Sequence, residues 1–140
     1  MKKLLFLDFL PRSADLALLL IRLMTGLSMV WFHGRGKLLN FESMHTQFPD
    51  PLGVGSTTSL VLALFGEVLF PAFLAFGLLT RLSALISAFT MGVAFFVIHG
   101  GALSGQNSGE MSYLYLAAFC VPLLAGGGRY SLDRKLGAAG

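Results

Sequence analysis

Residues 57–101 read TTSLVLALFGEVLFPAFLAFGLLTRLSALISAFTMGVAFFVIHGG. Only Glu67 and Arg81 are charged in that stretch. A helix rising about 1.5 Å per residue needs about 20 apolar residues to cross about 30 Å of hydrocarbon. The stretch holds two such runs, roughly Thr57 to Leu79 and Leu82 to Gly101, separated by Thr80 and Arg81. A connection this short makes them an antiparallel hairpin.

Two more runs flank the hairpin, roughly Ala14 to Gly34 and the shorter Met111 to Gly126. The expected fold is an all-α membrane protein: a four-transmembrane-helix bundle, one integral membrane domain over residues 1–140. Composition agrees. The chain is 55% apolar and 12% charged, with a mean hydropathy of +0.75. Soluble domains carry about 25% charged residues, so the composition argues against a soluble enzyme. Its 13 Phe exclude disorder. The one cysteine, Cys120, allows no internal disulfide, no Cys-x-x-Cys redox pair and no cysteine-built zinc site. The N-terminal MKKLLFLDFLP is interrupted by Asp8 and ended by Pro11. It reads as an interfacial anchor that stays attached, since no small-residue cleavage site follows.

Lys and Arg counts in short loops set orientation. Lys2, Lys3, Arg12, Arg81, Arg129, Arg134 and Lys135 fall on one side, Arg35 and Lys37 on the other. Seven against two places both termini in the cytoplasm, and the segments Arg35–Ser56 and Ala102–Glu110 outside. The basic residues end apolar runs, so the net charge of +3 points to the lipid bilayer and not to nucleic acid. In the first outer segment, Leu38, Phe41, Met44 and Phe48 recur at helical spacing. A short amphipathic helix over Lys37–Phe48, lying in the interface, is expected.

Ionisable residues inside spans cost at least about 2.5–3.5 kcal/mol near the centre, which makes them functional candidates. Arg22 lies about 12 Å into the first span and Glu67 about 15 Å into the second from the opposite side. Nearly equal depth predicts a buried Arg22–Glu67 ion pair that locks the spans together. In a second reading Glu67 handles protons or binds a ligand. Pro71 deprives the Glu67 carbonyl of its helical donor, and freed backbone at this depth often lines a cavity.

A second group gathers near the outer ends of the spans: His33, Lys37, His99 and Glu110, beneath the Lys37–Phe48 segment as a lid. These side chains suit the polar head of a quinone or other small molecule. They also suit simple snorkelling or loop hydrogen bonds. Two histidines and a carboxylate are metal ligands in principle, but no diagnostic spacing is present, which ranks a metal last. No residue set forms an independent catalytic motif. Ala84, Ala88 and Gly92 form a small-residue packing stripe. Trp31, Tyr113 and Tyr115 read as an aromatic belt, and Pro122 as a kink in the fourth span.

These stretches together resemble the DoxX family of small four-span bacterial membrane proteins. The likeness rests on Leu20-Ile-Arg-Leu-Met-Thr-Gly26, His33-Gly34 and Lys37-Leu38, then on Glu67 and Phe76-Gly-Leu-Leu-Thr-Arg-Leu-Ser-Ala84. It continues with His99, Glu110 and Gly126-Gly-Gly-Arg-Tyr-Ser-Leu-Asp133. The resemblance implies a bacterial inner-membrane protein serving as an accessory subunit of a quinone-linked or other redox complex. It implies a membrane or redox partner protein, leaves homo-oligomers open, and gives no residue a catalytic role. Relatives that exchange thiols use a cysteine pair, which this chain lacks. The alternatives are a non-enzymatic scaffold or assembly factor and a small-solute carrier.

Overall fold

A computed structural model describes residues 5–7 and 13–137. The expected N-terminal anchor, with Lys2, Lys3 and Arg12, lies almost wholly outside the described residues. Every regular element described is helical. Helix α1 is Ala14–Leu39, α2 Phe41–Met44, α3 Ser56–Phe76, α4 Thr80–Ile98, α5 Glu110–Ala125 and α6 Leu132–Lys135. Three of them, α1, α3 and α4, are long and apolar enough to cross a membrane. The fourth expected span, α5, is apolar but has 16 residues. At about 1.5 Å per residue that is about 24 Å, short of a full hydrocarbon slab.

Ser13 starts α1 by accepting the Leu16 N–H at 3.2 Å, the usual N-cap bond. The lower half of α1 lies against the lower half of α3, while Met29–Gly34 meets Phe65–Leu69. Glycine permits this closeness. A Cβ at Gly26 would collide with the Pro71 carbonyl, and one at Gly34 with Val68 and the Glu67 backbone. The α4–α5 contact is as extensive as that between α1 and α3. The core is Met29, Leu74, Ala84, Ala88, Met91 and Phe119, so it draws on all four long helices. Ala84 and Ala88 of the small-residue stripe are in it, whereas Gly92 has open space beside it. The end of the bundle holding Gly34, Ser56, Ile98 and Glu110 is called upper below, and the opposite end lower.

Three π-helical turns interrupt the spans: Met29–Gly34 in α1, Phe65–Leu69 in α3 and Ala94–Ile98 in α4. In α3 the Phe70 N–H reaches back five residues to the Phe65 carbonyl, one residue before Pro71. The proline, which has no N–H to give Glu67, thus sits directly after a widened turn.

The segment after the first span departs from expectation. Helix α1 does not stop at Gly34 but runs on to Leu39 and breaks at Asn40. What remains of the amphipathic helix expected over Lys37–Phe48 is the single turn Phe41–Met44 and the turns after it. The apolar stripe still holds in part. Phe41, Met44 and Phe48 are half-buried, while Leu38 is exposed. The chain then folds over the top of the bundle through Phe48–Leu52. Asp50 pins this crossing, accepting the Val54 N–H at 2.9 Å, the Gly55 N–H at 2.7 Å and the Ser59 hydroxyl at 2.7 Å. Those bonds, the Ser59 hydroxyl foremost and the Gly55 N–H next, hold its carboxyl below the ordinary carboxylate range.

Candidate functional site

The buried charges separate into two clusters at opposite ends. The lower cluster is a knot. Arg22 is fully buried. Its Nε donates to the Leu18 carbonyl at 3.3 Å and its Nη2 to the Tyr130 carbonyl at 3.3 Å. The guanidinium lies against Gly77, where the backbone turns left-handed at φ +71° and a Cβ would strike it. Leu79 is also left-handed, at φ +46°. Its N–H and that of Thr80 both donate to the Asp133 carboxylate at 2.7 Å, and the Asp133 N–H donates to the Gly77 carbonyl at 2.9 Å. The C-terminal segment thus caps α4. Burial pushes the Asp133 carboxyl up. The Thr80 side chain, the two N–H groups and the Arg22 charge outweigh that and leave it lowered.

The expected Arg22–Glu67 pair does not form; Glu67 is paired with Lys37. The reason is direction. Helical side chains lean toward the N-terminus of their own helix. Because α1 and α3 are antiparallel, Arg22 leans down and Glu67 leans up. Equal depth of the two backbones therefore separates the two head groups. Lys37 meets Glu67 because α1 continues past Gly34 and carries the ammonium over the upper half of α3.

The upper cluster lines a cavity of about 740 Å³. His33, Lys37 and Glu67 stand on one side of it, and His99, Ser108 and Ser112 on another. Tyr115 joins them. Its ring lies edge-on to His33 with centroids 5.2 Å apart, and its hydroxyl donates to Ser28 Oγ at 2.8 Å. The His99 Nδ1 lies 3.2 Å from the Asn107 carbonyl, which fixes the ring. The remaining wall is apolar: Phe65 and Phe70 from α3, Phe89 and Val93 from α4, and Phe48 and Leu52 from the crossing segment. All three π turns contribute lining residues.

Of the four residues expected to share an upper head site, three do: His33, Lys37 and His99. Glu110 does not. It is exposed at the first position of α5, where its N–H is held by Ser108 Oγ at 3.3 Å. A side chain at a helix N-terminus leans off the helix, and a carboxylate there is favoured by the dipole. The carboxylate of the cavity is Glu67 instead. Depth alone reads Tyr115 as part of an aromatic belt. Its spacing holds a further signal: Ser112, Tyr115 and Phe119 recur every three or four residues, one face of α5. Among the described residues no three His, Cys, Asp or Glu side chains form a group able to hold a metal ion.

Fold and site define a helical membrane protein whose apolar cavity ends in a paired lysine and glutamate and two imidazoles. The DoxX family profile matches residues 17–100, and the chain belongs to that family. The match takes in His33, Lys37, Glu67 and His99 and stops short of α5. An uncharacterized protein of Haemophilus influenzae is 33% identical over 98 residues, 66% of this chain and 64% of that protein. The chain thus spans less than two thirds of that relative's length. No solved structure matches.

Proposed function

We propose that this chain is a four-span bacterial inner-membrane protein, both termini cytoplasmic, that binds the polar head of a quinone in the upper cavity and serves as an accessory subunit of a redox complex. The observation that carries the reading is the cavity. Its volume suits a small-molecule site, typically about 300–1,000 Å³, and it is mostly apolar with a few convergent polar groups. Quinone carbonyls only accept hydrogen bonds, and Lys37, the imidazole N–H groups and the serine hydroxyls donate them. Quinol hydroxyls donate, and Glu67 accepts. The site therefore has partners for both redox forms. Electrons would come from or go to a partner protein, since the lone Cys120 cannot cycle as a dithiol.

The test is quinone content, by lipid extraction and mass spectrometry, of protein purified from native membranes. Wild type is expected to retain about one quinone per chain. The variants Lys37→Ala and His99→Ala are expected to lose it while keeping a helical circular-dichroism spectrum. Glu110→Gln is expected to retain it. Wild-type protein that neither retains nor rebinds quinone would overturn the reading and favour the scaffold.

A further inference from the structure

The cavity has a side as well as a head. Above the lower turn, α3 and α4 pack together as far as the Phe65–Leu69 π turn. They meet closely at Gly66, where a Cβ would fall on the Thr90 side chain. Above that pivot the two helices draw apart, and the cavity fills the wedge between them. Above the pivot it is walled by Leu62, Ala63 and Phe65 from α3 and Val93 from α4, and the lining continues just below the pivot along Phe89 and Ile86. Leu62 is 46% exposed, Phe65 42% and Phe89 63%. On membrane-spanning helices, apolar side chains this exposed face acyl chains. The wedge is therefore continuous with the lipid. The top of the cavity is lined instead by Phe48, Pro49, Pro51 and Leu52, in the crossing that Asp50 pins.

The charges at the head narrow the occupant further. Lys37 and Glu67 are joined to each other, so their charges cancel. The other polar groups facing the cavity are imidazoles and hydroxyls, which pair with an uncharged head. An anionic head would have to break the ion pair to gain the ammonium, leaving Glu67, 7% exposed, uncompensated.

We infer that the occupant is a neutral lipid with a single long tail, admitted sideways from the bilayer, its tail lying in the wedge between α3 and α4. This rests on the reading of the cavity as a lipophilic head site and deepens it by assigning the tail its own subsite and the ligand its direction of approach.

The test compares two benzoquinones, one tailless and one with a polyisoprenoid tail, binding to the full chain in nanodiscs. The tailed quinone is expected to bind at least tenfold tighter to wild type. Ala63→Trp, which fills the wedge, is expected to abolish that advantage and to leave tailless binding within about twofold. Leu62→Trp, at the lipid-facing mouth where a large side chain is easily housed, is expected to cut the advantage severalfold and keeps the test standing if Ala63→Trp fails to fold. A long-chain fatty acid anion is expected not to compete. A tail that adds no affinity, or a wedge variant that weakens both quinones equally, would overturn the tail subsite and leave the head site intact. Competition by the fatty acid would overturn the neutral head. If neither quinone binds wild type, the head site and the tail subsite fall together.

Discussion

Glu67 is 7% exposed, and the ammonium that neutralises it stands on a lysine side chain that is 23% exposed. Removing one partner of a fully buried pair costs about 3–5 kcal/mol, chiefly the penalty of the charge left behind. Because Lys37 keeps some access to the surface, Lys37→Met is expected to cost less, about 1–3 kcal/mol. Lys37→Met combined with Glu67→Gln should recover most of that loss, since no net charge then remains. Reversible unfolding in detergent, read as a double-mutant cycle, would measure the coupling. The same cycle run on Arg22 and Glu67 is expected to be additive within about 0.5 kcal/mol, as for residues with no shared partner. Strong coupling there would restore the pair that depth alone had predicted. The depth estimate failed because it located backbones, and an arginine or glutamate head lies several bonds from its backbone in a direction set by the helix.

At the scale of the element, the spans were legible and their defects were not. Runs of about 20 apolar residues are the strongest signal a sequence carries, and α3 and α4 lie close to where that signal put them. The π turns have no comparable signature, yet they widen α1, α3 and α4 beside the cavity. The first span is expected to end at Gly34 and a separate interfacial helix to begin at Lys37; in the structure Arg35 stays helical and lies over the Trp31 ring, its centre 4.8 Å from the centroid. That one misjudged end hid the partner of Glu67. Glycines fix the spacing of these elements. Gly66→Ala would drive a methyl into Thr90, and overpacking of this kind costs about 1–3 kcal/mol. The expected result is a lower melting temperature that Thr90→Ala, paired with it, partly restores. At Gly77 space alone cannot rescue the change. Alanine there would carry both a left-handed backbone, worth about 1–2 kcal/mol, and a clash with Arg22 and Ser131. Gly77→Ala should therefore stay destabilised even in an Arg22→Ala background, again read by melting.

Over the whole molecule the two ends do different work, and the family motifs divide between them. Arg22, Gly77, Thr80 and Asp133 come from motifs spread along most of the chain, and they converge on the lower knot, which ties α1, the α3–α4 turn and the C-terminal segment together. His33, Lys37, Glu67 and His99 converge on the cavity. Depth along the sequence already groups His33, Lys37 and His99 at the outer ends of the spans; the antiparallel packing adds Glu67 to them and sends Arg22 to the other end. The knot has a consequence in acid. Asp133 is held below the ordinary carboxylate range, and so is Asp50 at the other end. A carboxyl whose folded value lies below its unfolded value binds its proton more readily when unfolded. The stabilisation is therefore complete above the unfolded value, about 3.9 for Asp, and is lost as the pH falls through the lower, folded value. The contribution of these two carboxylates to melting in detergent should thus stay constant from neutrality down to about pH 5 and be lost below about pH 4. Asp133→Asn is expected to melt lower than wild type at neutral pH, because an amide is a weaker acceptor for the Leu79 and Thr80 N–H groups and brings no charge to Arg22. The gap should close in acid, where the wild-type carboxyl is neutral too. A gap of the same size at pH 3 and pH 7 would mean that shape at position 133, and not the carboxylate charge, holds the strained Leu79 turn in place.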